Sequence, residues 1–517
     1  MGHTRMRLLL AGLMVLCLFV AVSAGAEENL KIEARCDAAA LAPEVEVEVK
    51  VLIAIRAPEI PSVATRPPVA VSLVIDRSGS MEEAKKIDYA KAAGKVLVRS
   101  LKTNDLFALT VYDSEVQVLY PLAKVTDKEK LIRMINAIRP GSTTFLSGGL
   151  EKGIEQLKSI RKEGPCRVIL LSDGLANRGI TGAEQVAAIG ARARNTGVSV
   201  STIGLGLDFD ETLMQLLAQR GGGQYYYIKD SEDLPAVFRQ EMNLVAASFT
   251  RDMRVVFTRA KGVENLKIYG YSSTDKNRDT DIEMGDLSAG ENRQMLLRFK
   301  VKSGASGKQD LGVLRFRYTD QNDGKPRDIS VPLHLDVVAD KAVRDKTEAA
   351  QASVLREVRA EAALLDAEEA HVAAMAELEK GNVKNAKAML QAAQGSLAAA
   401  PSSQANSAKI AAMARDESQL EQAAQDEQMQ KSMNKASKAS AYQSSKGQKQ
   451  GLMLQRGDKG YQVEKLQQAL KDQGYYAGDV DGLFGPELEK AVQKFQRSKL
   501  LPANGIADPA TLGALGL

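Results

Sequence analysis

Residues 69–81 read VAVSLVIDRSGSM. The first eight are almost uninterruptedly apolar, as expected of a central strand buried on both faces of a parallel sheet. At Asp76 the chain turns polar in a single step, and Gly79 permits a tight turn. Downstream, helical and strand periods alternate. KKIDYAKAAGKVLVRSL (85–101) is an amphipathic helix, DLFALTVY (105–112) and EVQVLYPL (115–122) are strands, and DKEKLIRMINAI (127–138) and FLSGGLEKGIEQLKSI (145–160) are helices. CRVILLSD (166–173) and VSVSTIGLG (198–206) are further strands, each followed by a helix, and a last strand and helix run to about 246. The alternation predicts an α/β domain over 69–246, a doubly wound sheet with helices on both faces.

Outside this unit the period changes. Val45, Val47 and Val49 alternate with Glu46, Glu48 and Lys50, the pattern of a half-buried strand. After Ala247 the helical segments cease, and MRVVFTRA, NLKIYGY, MLLRFKVK, LGVLRFRY and ISVPLHLDVV read as strands. Residues 247–340 are therefore expected to form a β-sandwich. The strand within 27–68 is expected to pair with it, which makes the α/β domain an insertion in that sandwich or a neighbour to it. Residues 341–400, rich in Ala, Glu and Leu, predict a helical hairpin turning at Gly381-Asn382. Residues 401–450 are polar and low in complexity, and they read as a flexible basic linker. A compact unit is expected over 451–517.

At the other end, Met1–Ala26 has a cationic start at Arg5 and Arg7, an apolar run from Leu8 to Val22, and Ala24-Gly25-Ala26 before Glu27. That is the grammar of a cleaved secretory signal peptide. It directs the protein to the periplasm or cell envelope, and no later segment is long and apolar enough to span a bilayer. Two cysteines then remain, Cys36 and Cys166, in a compartment that permits a disulfide; they could be bridged, or packed separately as small apolar side chains.

Composition narrows the chemistry. Across 517 residues, 44% are hydrophobic and 26% charged, which is ordinary globular usage. A formal net charge of +4 is too balanced to imply a nucleic-acid partner. Three Cys and three His exclude a Cys- or His-rich zinc domain. His334 and His371 lie outside any nucleophile motif, so a cell-wall hydrolase is the weaker of the readings open to an exported chain.

Three short segments carry the candidate chemistry: Asp76-Arg77-Ser78-Gly79-Ser80, Gly141-Ser142-Thr143-Thr144 and Asp173-Gly174. All fall at the carboxyl ends of strands or at the helix start that follows, where ligands bind in an open α/β sheet. Two carboxylates and several hydroxyls, with no His or Cys, form a hard oxygen set suited to Mg²⁺ or Mn²⁺. Together, DRSGSM, GSTTFLSGGL and VILLSDGLANRG resemble the von Willebrand factor type A domain and its metal-ion-dependent adhesion site. By position, the resemblance implies Asp76, Ser78, Ser80, Thr144 and Asp173 as the cation's ligands, direct or through water. Thr144 is preferred to Thr143 for its distance to Gly149-Leu150. It also implies that a partner protein's Asp or Glu completes the ion's shell, which is binding without catalysis.

The C-terminal segment has helical faces at Val463, Leu466 and Leu470 and at Ala491, Val492 and Phe495. Its GDKGYQVEKLQ, GYYAGDVDGLFG and AVQKFQ resemble a three-helix peptidoglycan-binding module. Leu488 and Lys499-Leu500 depart from the usual pattern of that family. The resemblance implies wall binding, with glycan contacts expected from Tyr475, Tyr476, Asp481 and Gln496. The whole chain is thus expected to be a cell-wall-anchored recognition or adhesion protein, with a cell-envelope scaffold subunit as the alternative.

Overall fold

A computed structural model describes residues 19–21, 30–58, 68–160, 164–228, 234–446, 454–458, 461–499, 501, 503, 505–507 and 509–515. Of the expected signal peptide only β1 (Phe19–Ala21) is described, paired antiparallel with β2 (Lys31–Cys36). β3 (Glu46–Arg56) follows, and the chain then enters the α/β unit.

That unit contains β4 (Ala70–Asp76), α1 (Lys86–Ser100), β5 (Leu106–Tyr112), β6 (Val116–Lys124), α2 (Lys128–Asn136), α3 (Leu146–Leu157) and β7 (Cys166–Ser172). It continues through α4 (Ala183–Arg194), β8 (Val198–Leu205), α5 (Glu211–Gly221), β9 (Gly222–Ile228) and α6 (Leu234–Ala246). The sheet order is β6-β5-β4-β7-β8-β9, parallel except for β6. Every residue of β4, β7 and β8 is buried, because helices cover both faces. From β4 the chain moves first to β5 on one side and later to β7 on the other. The carboxyl ends of β4 and β7 therefore flank the point where the winding reverses, which opens a crevice there.

Two further sheets share one hydrophobic core. β3 pairs along its whole length with β14 (Asn292–Lys302), in a sheet ordered β1-β2-β3-β14-β11, with β11 at Val263–Ile268. The second sheet runs β12 (Ser273–Lys276), β13 (Asp279–Ile282), β10 (Thr250–Arg259), β15 (Gly307–Asp320) and β16 (Pro326–Val337). Val49, Val51, Ile53 and Ile55 of β3 pack with Phe257, Phe299 and Phe316 between the sheets. The α/β unit is inserted between β3 and β10, as the strand patterns suggest. Leu52, on the outer face of β3, is also buried, beneath Val358, Ala362 and Leu365. This explains why the alternation of β3 gives way to the continuous run VLIAI.

The helices α7 (Lys341–Ala350), α8 (Ala352–Glu379) and α9 (Val383–Ala399) follow, with Gly381 in the left-handed conformation between the last two. The expected flexible linker is not one. Residues 404–423 form α10 and residues 427–445 form α11, started by the side chains of Ser403 and Asp426 at their N-caps; residues 447–450 lie outside the described residues. Met413, Leu420, Ala423 and Met433 join α8 and α9 in one core. Low complexity concealed this because Ala and Met supply most of the apolar face, with few Leu and Ile to signal it.

α11 also braces the α/β unit. Tyr442 stacks edge-on against Tyr225 of β9 at 5.6 Å, and the Gln294 N–H of β14 donates to the Lys446 carbonyl at 3.0 Å. Lys435 and Lys438 both pair with Glu211 at the start of α5, and Lys431 pairs with Glu427. Lys435 and Lys438 thus find their acid on the α/β unit, and Lys431 finds one on α11 itself.

The C-terminal module has α12 (Tyr461–Asp472), α13 (Pro486–Ser498) and α14 (Pro509–Leu515) around Val463, Leu466, Leu470, Phe484 and Phe495. Arg239 of α6 pairs with its Asp458. Cys36 and Cys166 are not bridged: one lies in β2 among the paired sheets and the other at the start of β7. Each is buried in its own apolar surroundings. Among the described residues, no helix is long and apolar enough to cross a membrane.

Candidate functional site

Asp76 ends β4 and Asp173 directly follows β7, its neighbour in the sheet, so adjacent strands deliver both carboxylates to the crevice. Both are fully buried. Asp76 Oδ1 accepts the Ser78 N–H at 2.8 Å, which folds the turn back and aims the serines inward. The Ser78 and Ser80 hydroxyls lie 3.2 Å apart, and Ser80 donates to Asp173 Oδ1 at 2.8 Å.

The second segment is stitched to the other two by backbone. Gly79 N–H donates to the Ser142 carbonyl at 2.9 Å, and Thr144 N–H donates to Asn177 Oδ1, also at 2.9 Å. A Cβ placed on Gly174 would lie 3.4 Å from Ser80 Oγ and 3.6 Å from Thr144 Oγ1, so these two hydroxyls border one small space. All five residues singled out in the sequence are therefore brought together.

Several neighbours were not singled out in the sequence. Tyr112, at the end of β5, directs its hydroxyl to Asp76 Oδ2 at 3.3 Å, and Ser172 donates to the same oxygen at 2.8 Å. Arg77 pairs with Asp113 at 3.2 Å, flanking the Gly141 turn. A Cβ on Gly141 would run into the Asp113 carboxylate, so only glycine fits there. Lys86 places its ammonium 2.8 Å from Asp173 Oδ2. Arg77, Ser172 and Asn177 lie inside the quoted DRSGSM and VILLSDGLANRG, whereas Tyr112, Asp113 and Lys86 lie outside them.

The charges do not balance. Burial pushes the Asp76 carboxyl up to about 6, against the bonds from Ser78 and Ser172, and the charge of Asp173 adds to the rise. Burial also raises Asp173, against the pull of Lys86. Two carboxylates face one ammonium, and the partners of Asp76 are all neutral. The result is a pocket of hard oxygens with one uncompensated negative charge. That donor chemistry fits a hard cation.

The C-terminal candidates divide. Gln496 is fully buried: it donates to the Ile506 carbonyl and to Thr511 Oγ1 and accepts the Gly505 N–H. It knits the module together and cannot reach a glycan, contrary to the expectation from its polarity. Asp481 is exposed, and it accepts from Gln467 and from the Leu483 N–H. Tyr475 lies edge-on to Phe495 with its hydroxyl on Ser498, and Tyr476 donates to the Asp479 carbonyl. Both tyrosines keep part of their surface open.

Fold and crevice define the class: residues 71–240 match the von Willebrand factor type A domain, and residues 459–515 match the putative peptidoglycan binding domain. The chain thus carries a von Willebrand factor type A domain and a peptidoglycan-binding-like module. Among its relatives is the uncharacterized protein YfbK of Escherichia coli, 25% identical over 257 residues, or 48% of this chain and 44% of that protein. The chain thus spans less than half of that relative's length. A spore cortex-lytic enzyme of Bacillus cereus is 42% identical over 59 residues, 11% of this chain and 23% of the enzyme. In structure, a von Willebrand factor type A protein from Catenulispora acidiphila aligns with 74% of this chain and 88% of its own. The TM-score is 0.56 at 17% identity, a likeness of fold.

Proposed function

We propose that this chain is an exported, cell-wall-associated recognition protein, with the α/β domain as a head on a β-sandwich base and the three-helix module as its wall anchor. Asp76, Ser78, Ser80, Thr144 and Asp173 hold Mg²⁺ or Mn²⁺, directly or through water. An Asp or Glu of a partner protein supplies a further ligand, so partner binding requires the ion. The observation that carries this reading is the gathering of five side-chain oxygens from three distant segments around a buried, uncompensated negative charge. The signal-like segment at 1–26 supports export, and the match to the peptidoglycan-binding family supports wall association. The likeness to a lytic enzyme is confined to the module, so it lends no support to lytic chemistry elsewhere in the chain.

The α11 brace and the Arg239–Asp458 pair favour a head held close to its anchor over one that searches on a long tether. The test is capture of an envelope protein by the full chain with Mg²⁺, with chelator, and by Asp76→Ala and Asp173→Ala. Capture is expected only from wild type with the ion. Retention by either variant, or in excess chelator, defeats the cation mechanism. Sedimentation with purified cell wall tests the anchor, and a chain that stays in the supernatant defeats it.

A further inference from the structure

Lys86 stands where a lysine is least expected. It opens α1, where the helix dipole disfavours a cation, and it is only 6% exposed. Two consecutive non-glycine residues before it, Ala84 and Lys85, hold left-handed backbone at φ 48° and 56°. Such conformations persist only where the surroundings enforce them, and they cluster at functional sites. This turn brings the Lys86 ammonium to 2.8 Å from Asp173 Oδ2, while Asp173 Oδ1 takes the Ser80 hydroxyl. Beyond Asp173, the Lys86 stem lies against the loop after β8, where a Cβ on Gly206 would sit 3.3 Å from Lys86 Cε. The ammonium is thus fixed by packing at the edge of the five-oxygen cluster.

We propose that Lys86 is a tethered competitor for the divalent cation. Its ammonium neutralises Asp173 when the site holds no ion, and it opposes an incoming ion that must share the same carboxylate. The inference rests on the cation reading above and goes beyond it: the site is built to hold its ion loosely and exchange it, with its resting charge half satisfied by the chain itself. Like charges a few ångströms apart in a buried pocket repel strongly, so removing the ammonium favours the ion. It also leaves two buried carboxylates with no cation in the ion-free protein.

The test titrates Mn²⁺ into full-length wild type, Lys86→Met, Lys86→Gln and the charge-retaining Lys86→Arg by calorimetry, with thermal melts in chelator and in Mg²⁺. The expected result is Mn²⁺ binding at least ten times tighter in Lys86→Met and Lys86→Gln, with Lys86→Arg close to wild type. In chelator the two neutral variants melt below wild type, and Mg²⁺ raises their midpoints by more than it raises wild type. Should Lys86→Met not fold, Lys86→Gln, which can still hydrogen-bond to Asp173, carries the comparison. Affinity that is unchanged or weaker in both neutral variants overturns the proposal and makes Lys86 a prop that positions Asp173. Binding in the neutral variants but not in wild type supports the competition while defeating the cation reading for the native chain. Folded protein that binds no Mn²⁺ in any form overturns both.

Discussion

Thr144 and Asn177 are tied in both directions: the Thr144 N–H donates to Asn177 Oδ1 at 2.9 Å, and the Asn177 N–H donates to the Thr144 carbonyl at 3.2 Å. This clamp locks the second site segment to the loop that follows Asp173, and the side chain of Asn177 supplies half of it. Asn177→Ala removes that half and leaves the Thr144 N–H without its protein acceptor, a loss of about 1–3 kcal/mol. Mn²⁺ binding by calorimetry is expected to weaken about tenfold with the circular dichroism spectrum unchanged. Wild-type affinity in this variant would show that Thr144 is positioned without the clamp.

The Gly141 turn makes a harsher prediction. A methyl group there collides with Asp113, whose carboxylate is also held by Arg77 and by the Glu115 N–H. Gly141→Ala is expected to cost about 1–3 kcal/mol, the usual toll of overpacking, visible as a lowered thermal midpoint together with weaker Mn²⁺ binding. Removing the obstacle in Gly141→Ala/Asp113→Ala should recover part of the midpoint.

Glu211 links acid sensitivity to the α11 brace. Burial raises its carboxyl, but the hydrogen bonds and charges of Lys435 and Lys438 outweigh burial and hold it below the usual glutamate range. A depressed carboxyl contributes its stability above the unfolded value of about 4.3 and loses it as pH falls through the folded value. Amide exchange in α11 and the start of α5 is therefore expected to accelerate as pH drops below about 4, once corrected for intrinsic rates. Glu211→Gln should show the raised exchange already at pH 7, and identical protection at both pH values in wild type would refute the link.

Gln496→Ala separates structure from binding in the C-terminal module. The substitution removes the acceptor of the Gly505 N–H and the donor to the Ile506 carbonyl, and leaving the Gly505 N–H unsatisfied costs about 1–3 kcal/mol. Limited proteolysis is expected to cut the variant within 454–515 while the α/β domain stays intact. A stable variant with lost wall sedimentation would instead return Gln496 to the glycan contacts.

Much of this was legible along the chain because local periods report burial. The run VAVSLVID announced a strand covered on both faces, and β4 is buried at every position. Two of the three polar segments were readable because they sit where apolar strands stop, and the third because it precedes a helix start; in this architecture those ends converge. The helices at 404–445 were not legible. Their apolar face is made largely of Ala and Met, and their lysines look solvated until Glu211 and Asp208 are placed opposite them.

The amino-acid order by itself determined the alternation of strands and helices in the α/β unit and which oxygens could meet, while the pairing of β3 with β14 decided that this unit is an insertion. The first two follow from residue spacing and from which side chains water rejects. Only the tertiary structure decided that Lys86 lies on Asp173, that Gln496 is sealed inside its module, and that Cys36 and Cys166 stay apart. Each depends on which distant surfaces come to face one another. The sign of a charge or the polarity of an amide says nothing of its depth, and depth governs whether such a group binds a ligand or a neighbour.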